Sequence, residues 1–453
     1  FQLVRYCTHL LIKKHALKNY LMGVLVAKQL MRSQKYYVLM NIEQFNKLLD
    51  FTSPLKECFT SSGKEIYLVG GIVRDIHAGL NDIFDRDLDF TTDATPDEIK
   101  TIIQPIAENV WLSGQQFGTI GAQVNGKTIE ITTHRSESYV SESRKPVVTF
   151  STDLQEDLSR RDFTINSMAI NLETGKLIDP YNGLRDLQLK ILRTPLDPHI
   201  SFSEDPLRMM RAARFISRFN LTLDKGIKES VNELKERLRI VSNERIRDEL
   251  NKLLITPDPN PGLKFLLKTK LYETFLPELK NCKRQHRIRY LRHDHCIRLA
   301  ALLINISSEV RKARLKDLKY SNREIDTIDN LVSASQMILG QPMDNAHYRK
   351  WYLHAGENRQ GSIEIASIQR GARRKIAATH RKSRHLDQEL EDYTPPFTGS
   401  EIISILSLPQ GPEVGEVLQL LENMFIESGP VSNQEALDFL AEWEKGKDNS
   451  KRK

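Results

Sequence analysis

The apolar positions first follow a helical period. Phe45, Leu48, Leu49 and Leu55 recur at helical spacing, which predicts a helix over Ile42–Phe59. The pattern then shortens. Ile66–Val69 is an apolar run of strand length that breaks at Gly70-Gly71, Val73–Gly79 reads as a helical turn, and Arg86-Asp87-Leu88-Asp89-Phe90 returns as an alternating strand. Thr95-Pro96-Asp97-Glu98 is a helix start, with Thr as cap, Pro in the first position and acids in the first turn. Strands are expected around Val110–Leu112, Thr119–Val124 and Thr128–Thr133, with Gly118, Gly121 and Gly126 at turns. His134–Thr149 is polar and reads as a loop, either one that closes on a substrate or a plain solvated one. Asp179-Pro180-Tyr181-Asn182-Gly183 is a turn, and beyond it the pattern is helical apart from loops. Two or three amphipathic helices fill 220–280, helices continue over 299–340, Pro395-Pro396 marks a linker, and Gly399–Glu444 forms a terminal helical unit. Residues 445–453 read as a disordered charged tail.

Composition narrows the class. The 453 residues are 40% hydrophobic and 28% charged, enough for a sizeable core and several domains. A net charge of +7 and a pI near 9.0 favour a polyanionic partner. Cys7, Cys58, Cys282 and Cys296 stand at no disulfide or metal-ligand spacing, which points to a reducing compartment. His293-Asp294-His295 lies close to Cys282 and Cys296, but no spacing supports a zinc site there. No apolar stretch is long enough to span a bilayer. Residues 1–40 carry seven Lys or Arg and no acid. They read either as a mitochondrial transit peptide or as an upstream extension with Met40 as the natural start; the second reading is preferred, and the expected location is cytoplasmic.

The chemistry gathers in three places. At Gly70-Gly71 the missing side chains let backbone N–H groups approach a bulky anion. Asp87 and Asp89 share one strand face, and two such carboxylates repel unless a cation sits between them; hard oxygen ligands suit Mg²⁺. A phosphate cradle followed by a metal-binding acid pair is equipment for nucleotidyl transfer. Glu130 is either a third carboxylate beside that pair or a cross-strand partner of a base. Arg160 and Arg161 are candidate donors to triphosphate oxygens, and Asn166 to a ribose hydroxyl. The third place is Ser203-Glu204-Asp205-Pro206-Leu207-Arg208. Ser203 is expected to cap a helix with Glu204 and Asp205 in its first turn, and Asp205, Arg208, Arg211 and Arg214 form a row on a face separate from the apolar stripe of Leu207, Met210, Ala213 and Phe215. Residues 368–386 are basic, suiting either an RNA-facing surface or a solvated helix face.

In order along the chain, Gly70-Gly71-Ile72-Val73-Arg74-Asp75, Asp87-Leu88-Asp89, Phe117-Gly118-Thr119-Ile120, Arg160-Arg161-Asp162-Phe163-Thr164-Ile165-Asn166, Asp179-Pro180 with Gly183, and Glu204-Asp205-Pro206-Leu207-Arg208 resemble the motifs of the class II tRNA nucleotidyltransferase and bacterial poly(A) polymerase family. The likeness covers about residues 42 to 445. It implies an α+β chain: a small mixed-sheet, polymerase-β-like head over 42–185, a base-recognising helical neck over 186–255, a helical body over 256–394 and a helical tail over 395–445, with 1–41 and 446–453 outside. It implies Asp87 and Asp89 as Mg²⁺ ligands and Gly71, Arg74 and Arg161 at the nucleotide; the residues themselves add Gly70 and Asn166 at the nucleotide and Glu130 as a further metal candidate. Asp205 and Arg208 would pair with the base edge, and Arg211 and Arg214 would lie near the phosphates. The implied activity is template-independent addition of C and A from CTP and ATP to the 3′ end of tRNA, with no membrane and no obligate protein partner. Poly(A) polymerase and partial CCA addition share the motifs; an inactive RNA-binding protein is the remaining reading, against which the intact aspartates argue. Two departures stand out. The interval from Asp75 to Asp87 is long, and Ile304-Asn305 occupies the place where some relatives carry a His-Asp metal pair, so a body without phosphohydrolase activity is expected.

Overall fold

The structure, a computed structural model, describes residues 42–80, 87–114, 118–138, 147–282 and 285–451. The N-terminal extension, the long interval before Asp87, Phe117 and the Arg144-Lys145 part of the polar loop lie outside the described residues. Two compact units result: residues up to Ser242 with Thr269–Thr274, and Asn243–Lys268 with Phe275 onward. The first unit therefore takes in the helices at 198–240 that the sequence assigns to a neck.

The first unit is built on a seven-stranded sheet in the order β3-β4-β5-β2-β1-β8-β9. Its strands are β1 Ile66–Val69, β2 Leu88–Thr92, β3 Asn109–Gly114, β4 Thr119–Val124, β5 Lys127–Thr133, β8 Ala169–Asn171 and β9 Leu177–Ile178. β2 and β5 run parallel; the other neighbours are antiparallel. One face carries Leu68, Leu88, Phe90, Ile120, Ile129 and Ile131 into a core closed by Leu48, Phe51, Leu55 and Phe59 of α1 (Ile42–Ser61) and Ile99 and Ile103 of α3 (Pro96–Ile103). Each such fully buried side chain contributes about 1.5–3 kcal/mol relative to exposure. Thr95 caps α3 as expected, accepting from the Glu98 N–H, and Glu98 also reaches back to the Thr95 N–H, completing a capping box. The opposite face holds a smaller cluster, Tyr67, Val69, Ala169 and Leu158, the last from α4 (Leu154–Ser159).

Several expectations need correction. The ends of the polar loop pair as a two-stranded antiparallel ribbon, β6 Arg135–Ser138 with β7 Val147–Phe150. Two short strands, β10 Ile191–Leu192 and β11 Thr222–Leu223, pair in parallel inside the region read as purely helical. Ser203 does not begin a helix: it lies in the last turn of α6 (Pro198–Glu204), and Asp205 ends that helix. The next helix, α7 (Leu207–Phe219), starts after Pro206, with the Asp205 carboxylate accepting from the Leu207 N–H at 3.1 Å. Proline has no N–H and fixes its own φ, so the chain restarts there instead of running through.

The second unit is helical. Tyr348, Trp351, Tyr352, Leu386, Leu390 and Phe425 share one core, and Ile402, Val417, Leu421, Ala436 and Leu440 another. The place expected to hold a degenerate metal pair is a turn after α11 (His295–Leu302), with Ile304 buried and its carbonyl accepting from Gln336 at 2.7 Å. The C-terminal helix, α19 (Asn433–Lys451), runs through most of the tail expected to be disordered. Ser432 and Glu435 close reciprocal hydrogen bonds at its start, and a charged sequence is no bar to helix once nucleated.

Candidate active site

The acids sit where β2 begins. Asp87 precedes the strand; Asp89 is its second residue and faces away from the main core, exposed between buried Leu88 and Phe90. Asp89 registers against Val69 on one side and Glu130 on the other, and Glu130 in turn against Gly121. Alternation therefore puts Asp89 and Glu130 side by side on one face of adjacent parallel strands. The Asp89 carboxyl is raised above its usual value of 3.8 by lost solvation and by the charges of Glu130 and Asp87, with Arg161 opposing. A site whose ionised form is costly until a cation arrives has the chemistry of a divalent-metal site, and the all-oxygen donor set fits a hard ion.

Above the acids the chain turns at Gly70, whose φ is +75°. A Cβ there would lie 3.2 Å from Arg161 Nη1 and 3.8 Å from Asp89 Oδ2, so the turn, the arginine and the acid meet at one point. Arg161 is fixed from below by Asp157, which is fully buried in α4 and ion-pairs both Arg161 at 3.0 Å and Arg160 at 2.5 Å. Burial pushes the Asp157 carboxyl up, but the two guanidinium groups outweigh it and hold its pKa at about 2. Asp157 was not singled out from the sequence, although its i, i+3 and i, i+4 spacing to the arginines carries the signal.

Arg74, expected at the triphosphate, is 4% exposed and points inward from α2 (Gly71–His77). It bonds Asp75 at 2.8 Å and the Asn166 amide oxygen, and lies 4.5 Å from the Phe219 ring centre and 5.3 Å from that of Phe215. Burial lowers its pKa to about 10, with Asp75 holding it up. Asn166, expected at a ribose, also donates to Asp162 at 2.8 Å, so both ends of its amide serve this internal network.

The arginine row of α7 faces the same network. Arg208, 5% exposed, donates to the Ser201 hydroxyl at 2.8 Å and to the Arg160 carbonyl. Arg211 ion-pairs Asp162 at 2.7 Å, Arg218 reaches Asp75 at 3.4 Å, and Arg214 helps keep the buried Asp162 ionised. The segment 160–162 thus touches both the acid cluster, through Arg161, and the Asp205–Arg208 corner, through Arg160. Arginines 74, 160, 161, 208, 211, 214 and 218 surround three buried aspartates, 75, 157 and 162. The excess of positive charge suits a polyphosphate.

The Asp179–Gly183 motif acts on this segment from behind. Asp179 accepts from the Gly183 and Leu184 N–H groups at 2.6 and 3.0 Å, opening α5 (Gly183–Leu189). A Cβ on Gly183 would fall 2.0 Å from the Thr164 carbonyl oxygen, so glycine is what lets α5 press against the 164–166 turn.

Comparison with known proteins points to one family along most of the chain. A family model described as "Poly A polymerase head domain" matches residues 66–193, one described as "Probable RNA and SrmB- binding site of polymerase A" matches 220–283, and one described as "tRNA nucleotidyltransferase domain 2 putative" matches 292–440. The CCA-adding enzyme of Pediococcus pentosaceus is 33% identical over 374 residues, 81% of this chain and 90% of its own. That of a Geobacillus species is 32% identical over 414 residues, 88% and 96%. The crystal structure of the Bacillus stearothermophilus CCA-adding enzyme in complex with CTP superposes with a TM-score of 0.71 at 25% identity, over 90% of this chain and 99% of that one.

Proposed function

This chain belongs to the class II tRNA nucleotidyltransferase family of CCA-adding enzymes, and on that premise we propose that it extends the 3′ end of tRNA with C and A from CTP and ATP, releasing pyrophosphate. The observation that carries the reading is the meeting of Asp89, Gly70 and Arg161, because it sets a metal-type acid cluster against an anion cradle and a fixed cation.

In this reading Asp87 and Asp89, with Glu130 beside them, hold divalent metal, Mg²⁺ by the hardness of the donors. A metal held by these carboxylates would supply Lewis acidity to the primer hydroxyl and positive charge to the leaving oxygens. The protein's own groups do the positioning. Gly70 and Gly71 leave room for the triphosphate, and Arg161, steadied by Asp157, supplies a fixed positive charge. Arg74 and Asn166 act from beneath, holding α2 to the 160–166 segment.

Base choice is assigned to Asp205 and Arg208. An ionised Asp only accepts and an Arg only donates, so together they match the exocyclic amine and ring nitrogen acceptor shared by C and A. U and G present the reverse order at those positions and leave both protein groups facing like partners. Arg211 and Arg214 lie further along the same helix, toward the phosphates. The expected setting is cytoplasmic; no helix among the described residues is long and apolar enough to cross a membrane.

The test is incorporation into a tRNA ending at the discriminator base, with CTP, ATP or both. Extension by C, C and then A with both nucleotides supports the proposal. A long A tail from ATP alone would make the chain a poly(A) polymerase, and a stop after C addition, or A addition confined to tRNA already ending in CC, would make it a partial enzyme.

A further inference from the structure

In the second unit three adjacent residues bring unlike ligand atoms together. Asp294 is the N-cap of α11, and His295 and Cys296 are its first two residues. Their ligand atoms all lie within 4.8 Å of one another. Cys296 Sγ is 3.4 Å from His295 Nε2, and the same nitrogen is 3.2 Å from Glu324 Oε1. Glu324 belongs to α13 (Asn322–Gly340), 29 residues away. One imidazole nitrogen has either one proton or one lone pair to offer, so convergence of a thiol and a carboxylate on it is poorly explained by hydrogen bonding alone.

A tetrahedral zinc site explains it. Zn–S bonds of about 2.3 Å and Zn–N or Zn–O bonds of about 2.0–2.1 Å place S and N about 3.6 Å apart and N and O about 3.3 Å apart. The two separations to His295 Nε2, 3.4 Å from Cys296 Sγ and 3.2 Å from Glu324 Oε1, lie close to those edges. The carboxylates are also oriented by outer partners. Glu324 Oε2 accepts from the Ser321 N–H at 2.9 Å and hydroxyl at 2.7 Å, which turns Oε1 toward His295. Asp294 Oδ1 accepts from the Ile297 N–H at 3.0 Å. Such second partners are what hold metal-ligand carboxylates in place.

We propose that Asp294, His295, Cys296 and Glu324 form a structural site for one zinc ion, tying the start of α11 to the start of α13. Without metal the Cys296 thiol is pushed up to about 12 by burial and by the charges of Asp294 and Glu324. A dication offsets all of these, and binding releases the thiol proton to solvent. With Glu324 as the fourth ligand the coordination shell would be closed, the pattern of a site that serves the fold.

The full chain, stripped with chelator, is titrated with cobalt(II) and then zinc. One equivalent of cobalt should give tetrahedral visible bands with a thiolate-to-cobalt charge-transfer band, and zinc should abolish both and raise the Tm. C296S should lose the charge-transfer band, C282S should keep it, and E324Q, which preserves the helix cap, should weaken zinc about 10–100-fold. Oxygen ligands at Asp87 and Asp89 give no thiolate band, so the two metal sites are read separately. Absence of that band in the wild type, or its survival in C296S, overturns the proposal.

Discussion

Asp89 and Glu130 stand opposite each other on parallel strands, register partner to register partner, with both side chains on the open face of the sheet. The residues registered across from Glu130 are Asp89 and Gly121, neither of them a base. Asp87→Ala should abolish nucleotide incorporation while sparing tRNA binding measured by filter retention. Glu130→Gln should keep the fold and raise the Mg²⁺ concentration for half-maximal rate about 10–100-fold. An unchanged Mg²⁺ dependence would remove Glu130 from the site.

The raised Asp89 carboxyl makes a prediction about stability. Because its folded pKa lies above 3.8, the folded state holds a proton the unfolded state has released, and this contribution declines as pH rises through the folded value. Metal-free protein at neutral pH therefore carries the full cost of the ionised acid. Asp89→Asn should raise the Tm of the metal-free protein and abolish the further rise that Mg²⁺ gives the wild type, as read by calorimetry with and without metal.

Asp157 titrates in the opposite sense. Its folded pKa of about 2 lies below 3.8, so its stabilisation is complete above 3.8 and is lost as pH falls toward 2. Asp157→Asn should cost about 2–4 kcal/mol, somewhat under the usual figure for breaking a buried pair because both arginines keep some solvent. The variant should also raise KM for CTP and ATP together, since Arg161 loses its support.

Gly183→Ala places a methyl inside the Thr164 carbonyl. The backbone must move, at about 1–3 kcal/mol, and the 160–166 segment moves with it. We expect a lower Tm and a lower kcat from a residue that touches no substrate.

Arg208→Ala should compress the preference for CTP over UTP by about tenfold to a hundredfold, the 1–3 kcal/mol of a missing specific contact. Measuring kcat/KM for both nucleotides separates this from a simple loss of fold, which would lower both alike.

Much of the head was legible because its signals are local. The Gly70-Gly71 break, the Asp87–Asp89 alternation and the Thr95–Glu98 capping box each lie within a few residues, and each appears as expected apart from the exact start of β2. Strands β8 and β9, of three and two residues, carry no period of their own and exist through pairing with β1 and each other. The polar ribbon was misread for the same reason. Arg74 and Asn166 have partners that residue type did not announce: Asp75, Asp162 and the Phe215 and Phe219 rings hold them from within. The proximity of His295 to Glu324, 29 residues apart, has no local signal in the sequence.

The contact from Arg208 to position 160 ends on a main-chain oxygen. Replacing the Arg160 side chain leaves that acceptor in place, so alanine scanning and sequence comparison are both blind to this half of the joint between the Asp205–Arg208 corner and the Asp89 cluster. An amide-to-ester exchange weakening that one carbonyl, made by semisynthesis, is the perturbation that reaches it.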